Sequence, residues 1–417
     1  MMEPEVRRVG AQFDPLSDDY LADPYPFVSE ARQAAPVFYS EKLDHWVVTR
    51  YQLIRHIFLN PQIFSAENAN SPVLPPCPRA QKALEDGGFR AVPTLANVDP
   101  PAHTRVRRIA NAAFTSGRVA EMEEFVRKTT VRFIDERFRT GSADMVRHLA
   151  WELPVLVLFR ILGIGDDQIP RVKEGSWSRI LFVYGRPSNE ADQVRAAEGM
   201  AAFWRYAEQL VEARTKEPRD DFTSALVRAT DENGERLTHE QASTVVLNLL
   251  FAGHETTTGL LGNSFRQLLA DREAWQAICA EPSLIPNAVE EVLRLDSSVI
   301  AWRRRATQAT TIADVPIPPD AKLLLLLCSG NRDPDVFADP DRFDIRRPNA
   351  KDHLAFGHGA HLCLGRPLAR LQARVVLEEF SARLPSLRLA SAAKLEFPPN
   401  VSFRGPLSLP VIWDTRG

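Results

Sequence analysis

The sequence predicts a mainly α-helical fold with small β-sheets. Helical patterning runs almost without interruption from about Ala102 to Leu295, short strand-like runs flank it on both sides, and a long helix from about Arg366 to Leu384 precedes a β-rich tail. A content of 44% hydrophobic and 25% charged residues over 417 positions is that of an ordinary globular chain.

Val37–Ser40 and His45–Thr49 read as an apolar-aromatic hairpin ahead of a helix over Tyr51–Leu59. The helical bulk is punctuated by turn signals at Asp166-Asp167, Arg186-Pro187 and Asp231-Glu232-Asn233-Gly234. Within it, a helix from about Gln241 to Leu269 is apolar around most of its circumference near Val245–Ala252, which marks a helix crossing the core. Strands return at Val299–Ala306 and Ala321–Cys328, followed by a Pro- and Asp-rich ordered loop from Asn331 to Asn349. In the last long helix Leu368, Leu371, Val375, Leu377, Phe380 and Leu384 recur at helical spacing. With no repeats or linker, residues 1–417 are expected to form one structural unit.

A net charge of −3 offers no basic field for nucleic acid. The N-terminus lacks the apolar core of a signal peptide, and the longest greasy run, Leu323 to Cys328, is too short to span a bilayer, so a cytoplasmic location without membrane anchoring is expected. The four cysteines, Cys77, Cys279, Cys328 and Cys363, form no C-x-x-C pair. Cys279 and Cys328 read as small buried hydrophobes.

Cys363 differs. It lies in Phe-Gly-His-Gly-Ala-His-Leu-Cys-Leu-Gly, residues 356–365, directly ahead of the last long helix, whose first turn accommodates Pro367. Helix N-terminal N–H groups favour a negative sulfur, and Gly359 and Gly365 would let backbone lie close beneath a flat macrocycle. Phe356, Gly359, His361, Cys363 and Gly365 resemble the heme-binding signature of the cytochrome P-450 superfamily. The resemblance implies a triangular prism with a buried heme b, and Cys363 as the proximal iron ligand. In that class the thiolate pushes electron density toward the iron and favours O–O cleavage.

Further residues take their roles from the same resemblance. In Ala252-Gly253-His254-Glu255-Thr256-Thr257 a glycine that weakens a helix interior stands beside an acid and an alcohol. Glu255 and Thr256 match the family's oxygen-activating acid–threonine pair, with Ala252 against the heme. Glu291 and Arg294 match its Glu-x-x-Arg pair, with Arg342 as third partner in a structural role. His103, Arg107, Arg304 and His361 match the donors to the propionates; alternation along Arg303-Arg304-Arg305 sends only the middle side chain toward the heme.

From Ile278 onward, through Ser283-Leu-Ile-Pro-Asn-Ala-Val-Glu-Glu and Ser402-Phe-Arg-Gly-Pro, the chain most resembles heme domains of self-sufficient bacterial P-450s fused to phthalate-dioxygenase-type reductases. It has no G-x-G-x-x-G after a strand, so electrons are expected from a ferredoxin or a flavin/iron–sulfur reductase, with dioxygen as co-substrate. Arg105, Arg108, Arg366, Arg370 and Arg374 suggest a basic docking face. Asn248, Phe251, Ala252, Val299, Ile300 and Phe403 are expected to wall the substrate pocket, suiting a small, neutral, ring-bearing molecule undergoing hydroxylation or O- or N-dealkylation. Arg79, Lys82 and Arg90 in the loop from Pro75 to Pro93 leave room for a carboxylate. A peroxide-driven peroxygenase and a heme-based gas sensor are the rival readings.

Overall fold

The computed structural model describes residues 4–114, 116–185, 189–390 and 395–415. The Arg186-Pro187 turn signal lies outside them. The chain opens with α1 (Pro4–Gln12), α2 (Asp18–Ala22) and α3 (Tyr25–Ala34), then β1 (Val37–Ser40), β2 (His45–Val48), α4 (Tyr51–Leu59), β3 (Phe64–Ser65) and α5 (Pro78–Asp86). The helical bulk follows as α6 (Ala102–Ala113), α7 (Ser116–Arg137), a short β4 (Ser142–Asp144), α8 (Leu153–Leu162), α9 (Ile169–Arg179), α10 (Glu190–Lys216) and α11 (Phe222–Arg228). It ends with α12 (His239–Ala252), α13 (Glu255–Ala270), α14 (Arg272–Ala280) and α15 (Ile285–Leu295). Then come β5 (Trp302–Ala306), β6 (Thr310–Ile312), β7 (Val315–Ile317), β8 (Lys322–Leu325), α16 (Leu327–Gly330), α17 (Arg366–Arg383), β9 (Arg388–Leu389) and β10 (Pro410–Ile412).

The main sheet has the strand order β1-β2-β8-β5-β3, with β2 and β8 parallel and the other neighbours antiparallel. Period-two alternation covers both faces. Leu323 and Leu325 enter one core with Ile54, Ile57 and Phe337, while Leu324 enters a second with Phe13, Phe38 and Val47. The largest core lies among the helices, where Val245, Val246 and Leu250 of α12 and Leu260, Leu261 and Phe265 of α13 are fully buried.

Three expected elements change, the first being the strand expected over Val299–Ala306, which begins only at Trp302. The helix expected from Gln241 to Leu269 is two helices, because His254 leaves the helical region at φ −129°. The strand expected over Ala321–Cys328 ends at Leu325, and Cys328 falls in the one-turn α16. Between Asn331 and Asn349 the described backbone forms no helix or strand, and buried side chains pin it. No helix is long and apolar enough to cross a membrane among the described residues.

Candidate functional site

The cysteine loop is fixed first by its own backbone. The Cys363 N–H donates to the Phe356 carbonyl at 3.0 Å, closing a turn in which Gly357 and Gly359 both have φ near +70°. A Cβ on Gly359 would stand 2.7 Å from the Phe58 carbonyl oxygen of α4. That glycine is therefore required by the loop's left-handed turn and its packing on α4. Gly365 is different: a Cβ there would sit 4.0 Å from the Cys363 Sγ, an ordinary contact. Burial pushes the Cys363 thiol up, opposed by the N–H of Gly365, the charge of Arg107 and the N–H and charge of Arg366. The sulfur keeps its proton until a cation replaces it, and the donors that would then hold the thiolate are already aimed at it.

Across the loop from α4, α6 brings His103 against His361, with ring centroids 4.2 Å apart. One nitrogen of His361 contacts the Leu95 carbonyl at 3.1 Å, while its Nε2 has no hydrogen-bond partner and lies 3.8 Å from the Asp99 carboxylate. His103 Nε2 and one Nη of Arg304, on β5, are likewise buried without a partner. Burial pushes His103 down to about 4, with the charges of His361 and Arg107 adding to it, and burial brings Arg304 down to about 10. Buried polar atoms are nearly always bonded, so the unmatched nitrogens of His103 and Arg304, with the loosely held Nε2 of His361, call for partners. The two propionates of a heme whose iron sits on Cys363 fit this set. Arg107 behaves differently, since its Nη2 donates to the Leu362 carbonyl at 2.8 Å and braces the cysteine loop.

The second part of the expected site is the α12–α13 break. A Cβ at Gly253 would meet Leu158 Cδ1 of α8 at 2.7 Å, so the glycine lets the two helices approach. Beyond it the Thr256 hydroxyl donates to the Ala252 carbonyl at 2.9 Å, taking up a carbonyl that the break frees. Thr256 and Ala252, four residues apart, face the same open side. Glu255 points elsewhere. Its carboxylate lies 2.9 Å from His254 Nε2 and 3.4 Å from the buried Lys173 ammonium of α9. Burial would drive the Glu255 carboxyl up, but Lys173 and His254 hold it at about 2. Lys173 itself is pushed down by burial despite that partner. Sequence reasoning missed Lys173, which reads as a surface lysine of an amphipathic helix.

Behind the cysteine loop, Arg294 forms a bidentate pair with Glu291, at 2.7 and 2.8 Å, with both side chains fully buried. The third partner is Arg347, 3.1 Å from both Glu291 oxygens, and not Arg342, whose carbonyl accepts from Arg294 and Arg347. Both arginines lie in the same irregular loop, and only its path decides which one turns inward. Nearby, Arg370 binds Glu290 at 2.6 and 2.7 Å and lies over the Phe356 ring, fixing the start of the signature. Of the other arginines expected on a basic face, Arg105 pairs with Asp231, Arg108 with Glu232, and Arg374 with Glu123 and Glu378. Those charges are neutralised. Among the described residues Arg366 forms no ion pair, nor do its neighbours Arg55 and Lys351 around the same surface hollow.

Of the expected pocket wall, Phe251 and Phe403 meet at 5.3 Å, Val299 bridges to Phe403 in the backbone, and Ala252 is open beside them. Ile300 is not part of it. Its side chain enters the second core with Phe13 and Phe38, because alternation turns it away from Val299. The Asn248 amide is occupied, its oxygen taking a bond from Arg179 at 2.9 Å and its nitrogen donating to Thr94 at 3.2 Å. Three further residues that sequence reasoning did not single out pack with these: Tyr184, stacked on Phe251 at 6.0 Å, Trp302, and Arg303, whose guanidinium lies 5.1 Å over Tyr184. Arg79, Lys82 and Arg90 do not face the pocket. Their side chains are 74%, 73% and 69% exposed and pair with Glu190, Asp86 and Glu208.

Residues 184–384 match the family model described as Cytochrome P450. The chain is 35% identical to the cytochrome P450 monooxygenase PikC of Streptomyces venezuelae over 98% of its own length and 95% of that protein's. Among solved structures it is similar to cytochrome P450 CREJ in complex with (4-ethylphenyl) dihydrogen phosphate, with 38% identity, a TM-score of 0.93, and coverage of 97% of this chain and 100% of the other. It also matches full-length CYP116B46 of Tepidiphilus thermophilus at 38% identity and a TM-score of 0.94, covering 98% of this chain and 54% of that one. With a cysteine loop built for a thiolate, buried donors matched to propionates and full-length relatives of this kind, the chain belongs to the cytochrome P450 family.

Proposed function

We propose that residues 1–417 act as one heme domain that inserts one atom of dioxygen into a small ring-bearing substrate, by hydroxylation or by O- or N-dealkylation. When bound, the heme supplies oxygen activation at an iron held by the Cys363 thiolate. His103, Arg304 and His361 would take the propionates, and Arg107 keeps the loop in register. The observation that carries the reading is the helix break, where Thr256 faces the open side of α12 while Glu255 is held ionised by Lys173.

There the Thr256 hydroxyl can pass a proton inward and regain one, and Glu255 beside Lys173 offers a buried carriage point toward α9. A sensor or a peroxide-driven enzyme has no need of that arrangement. Phe251, Phe403, Tyr184 and Trp302 hold a ring and exclude water from the reacting side. The ring in the ligand named for CREJ supports a small aromatic substrate.

Electrons would come from an NAD(P)H-dependent partner, a ferredoxin or a flavin/iron–sulfur reductase, docking near Arg366, Arg55 and Lys351. The test is the reduced carbon monoxide spectrum, with product formation driven by NADH and a reductase compared with hydrogen peroxide alone. Cys363→Ala should lose the thiolate-type band and Cys279→Ala should keep it. Retention of the band in Cys363→Ala, or turnover with peroxide only, overturns the reading.

A further inference from the structure

Arg179, the last residue of α9, and Arg303, on β5, are 4% and 2% exposed, and both border the aromatic wall. The Arg179 guanidinium lies 4.9 Å over Phe251, and its Nη2 divides its bonds between Asn70 at 3.1 Å and Asn248 at 2.9 Å. Its Nε is buried with no partner. Arg303 donates to the carbonyls of Ala69 and Ser71 and lies over Tyr184. Among the described residues neither arginine has a carboxylate within ion-pair distance.

Buried Arg214, Arg294 and Arg347 are paired with Asp221 or Glu291. Of the buried arginines without an ion pair among the described residues, Arg32 donates to Ser329 and Arg304 belongs with His103 and His361, which leaves Arg179 and Arg303 as the two that lie over aromatic rings of the wall. A buried guanidinium keeps its charge only when paired or richly bonded, and two like charges near each other raise the cost. Burial pushes Arg303 down to about 10, the Tyr184 hydroxyl works against that, and the Arg179 charge adds to the burial. Amide oxygens, carbonyls and ring faces supply only partial negative charge.

We propose that the substrate carries an anionic group, a carboxylate or a phosphate monoester on an aromatic ring, which seats between Arg179 and Arg303 while the ring lies against Phe251, Tyr184 and Phe403. The inference rests on the monooxygenase reading and changes the expected substrate from neutral to anionic. Guanidinium forks match both oxyanions bidentately, and the unpartnered Arg179 Nε is a free donor for one. The competing explanation is mechanical: the arginines tie the segment around residues 69–71 to the end of α9 and to β5, and Val73 nearby donates to the Val183 carbonyl.

The experiment titrates the heme-loaded protein at neutral pH with 4-ethylbenzoate, 4-ethylphenyl phosphate and neutral 4-ethylanisole, reading the substrate-induced spectral shift and, in parallel, heat by calorimetry. At least one anion should bind roughly tenfold or more tighter than the anisole, and the stronger of the two identifies the anion class. In Arg179→Gln that preference should fall roughly tenfold or more with anisole binding little changed, and Arg179→Lys should restore part of it. Equal binding of all three probes by the unaltered protein overturns the proposal, even if Arg303→Gln does not fold. Equal weakening of all three by Arg179→Gln assigns the arginine to the loop tether and overturns it too. The carbon monoxide spectrum of the same sample reports separately on the heme-thiolate reading.

Discussion

Replacing Lys173 with Met removes the ammonium that keeps Glu255 ionised inside the protein. In the unaltered chain the Glu255 carboxyl sits at about 2 against an ordinary 4.5, with burial pushing it up and Lys173 and His254 pulling it down further. A depressed folded-state value contributes stability that is full above the unfolded value and is lost as pH falls through the folded one. At ~1.4 kcal/mol per unit, the difference sets a ceiling of about 3.5 kcal/mol near neutral pH. Lys173 offsets part of this, because burial disfavours its charged form even beside Glu255, and Met removes that cost. The net loss at pH 7.5 should be on the order of 2 kcal/mol. In the variant the carboxyl rises, so the loss should grow as pH increases from the ordinary carboxylate range. Urea unfolding of the heme-loaded protein at about pH 5 and pH 7.5 measures this, and product formed per NADH should fall in the same variant. A loss identical at the two pH values would refute the charge argument, and unchanged coupling would remove Lys173 and Glu255 from the proton route.

Thr256→Ala should keep the carbon monoxide spectrum and substrate binding while product per NADH drops on the order of tenfold and hydrogen peroxide rises. Unchanged coupling would assign the proton transfers to other groups. Arg347→Met should cost about 2–3 kcal/mol in unfolding experiments because it removes one of the two arginines on the buried Glu291, which Arg294 still holds, whereas Arg342→Met, whose side chain is outside that cluster, should cost less than about 1 kcal/mol. Electron transfer at limiting partner should slow as ionic strength rises, and Arg366→Gln should flatten that response; a flat response in the unaltered protein would argue against an electrostatic docking face.

Features that depend on neighbours in sequence were the ones most readily legible. The cysteine loop and the helix behind it are set by residues within one short stretch, so resemblance to the signature locates them, although of the two left-handed glycines Gly359 was expected and Gly357 was not. The hairpin of β1 and β2 and helix α4 follow from alternation and periodicity in the same way. The break between α12 and α13 was visible only as a local weakness, since the contact with Leu158 that demands Gly253 comes from another helix. Arg347 against Arg342, and Val299 against Ile300, depended on which way an irregular segment turns. Periodicity carries no information about that choice.

The buried charges divide into two kinds, and the division separates stability from function. Glu291, Arg294 and Arg347 satisfy one another and the loop carbonyls around them, so nothing remains to be bound and their work is to hold the cysteine loop from behind. His103, His361 and Arg304 are left with donors unmatched, as are the Arg179 guanidinium and, in charge, Arg303. Leaving such groups incomplete costs folding free energy, typically about 1–3 kcal/mol for each unsatisfied atom. Binding can return that cost, and of these two sets Arg179 and Arg303 lie against Phe251 and Tyr184 of the aromatic wall. One set matches the carboxylates of the cofactor. The other is the set that the proposed anionic substrate would complete, since among the described residues no carboxylate pairs with Arg179 or Arg303.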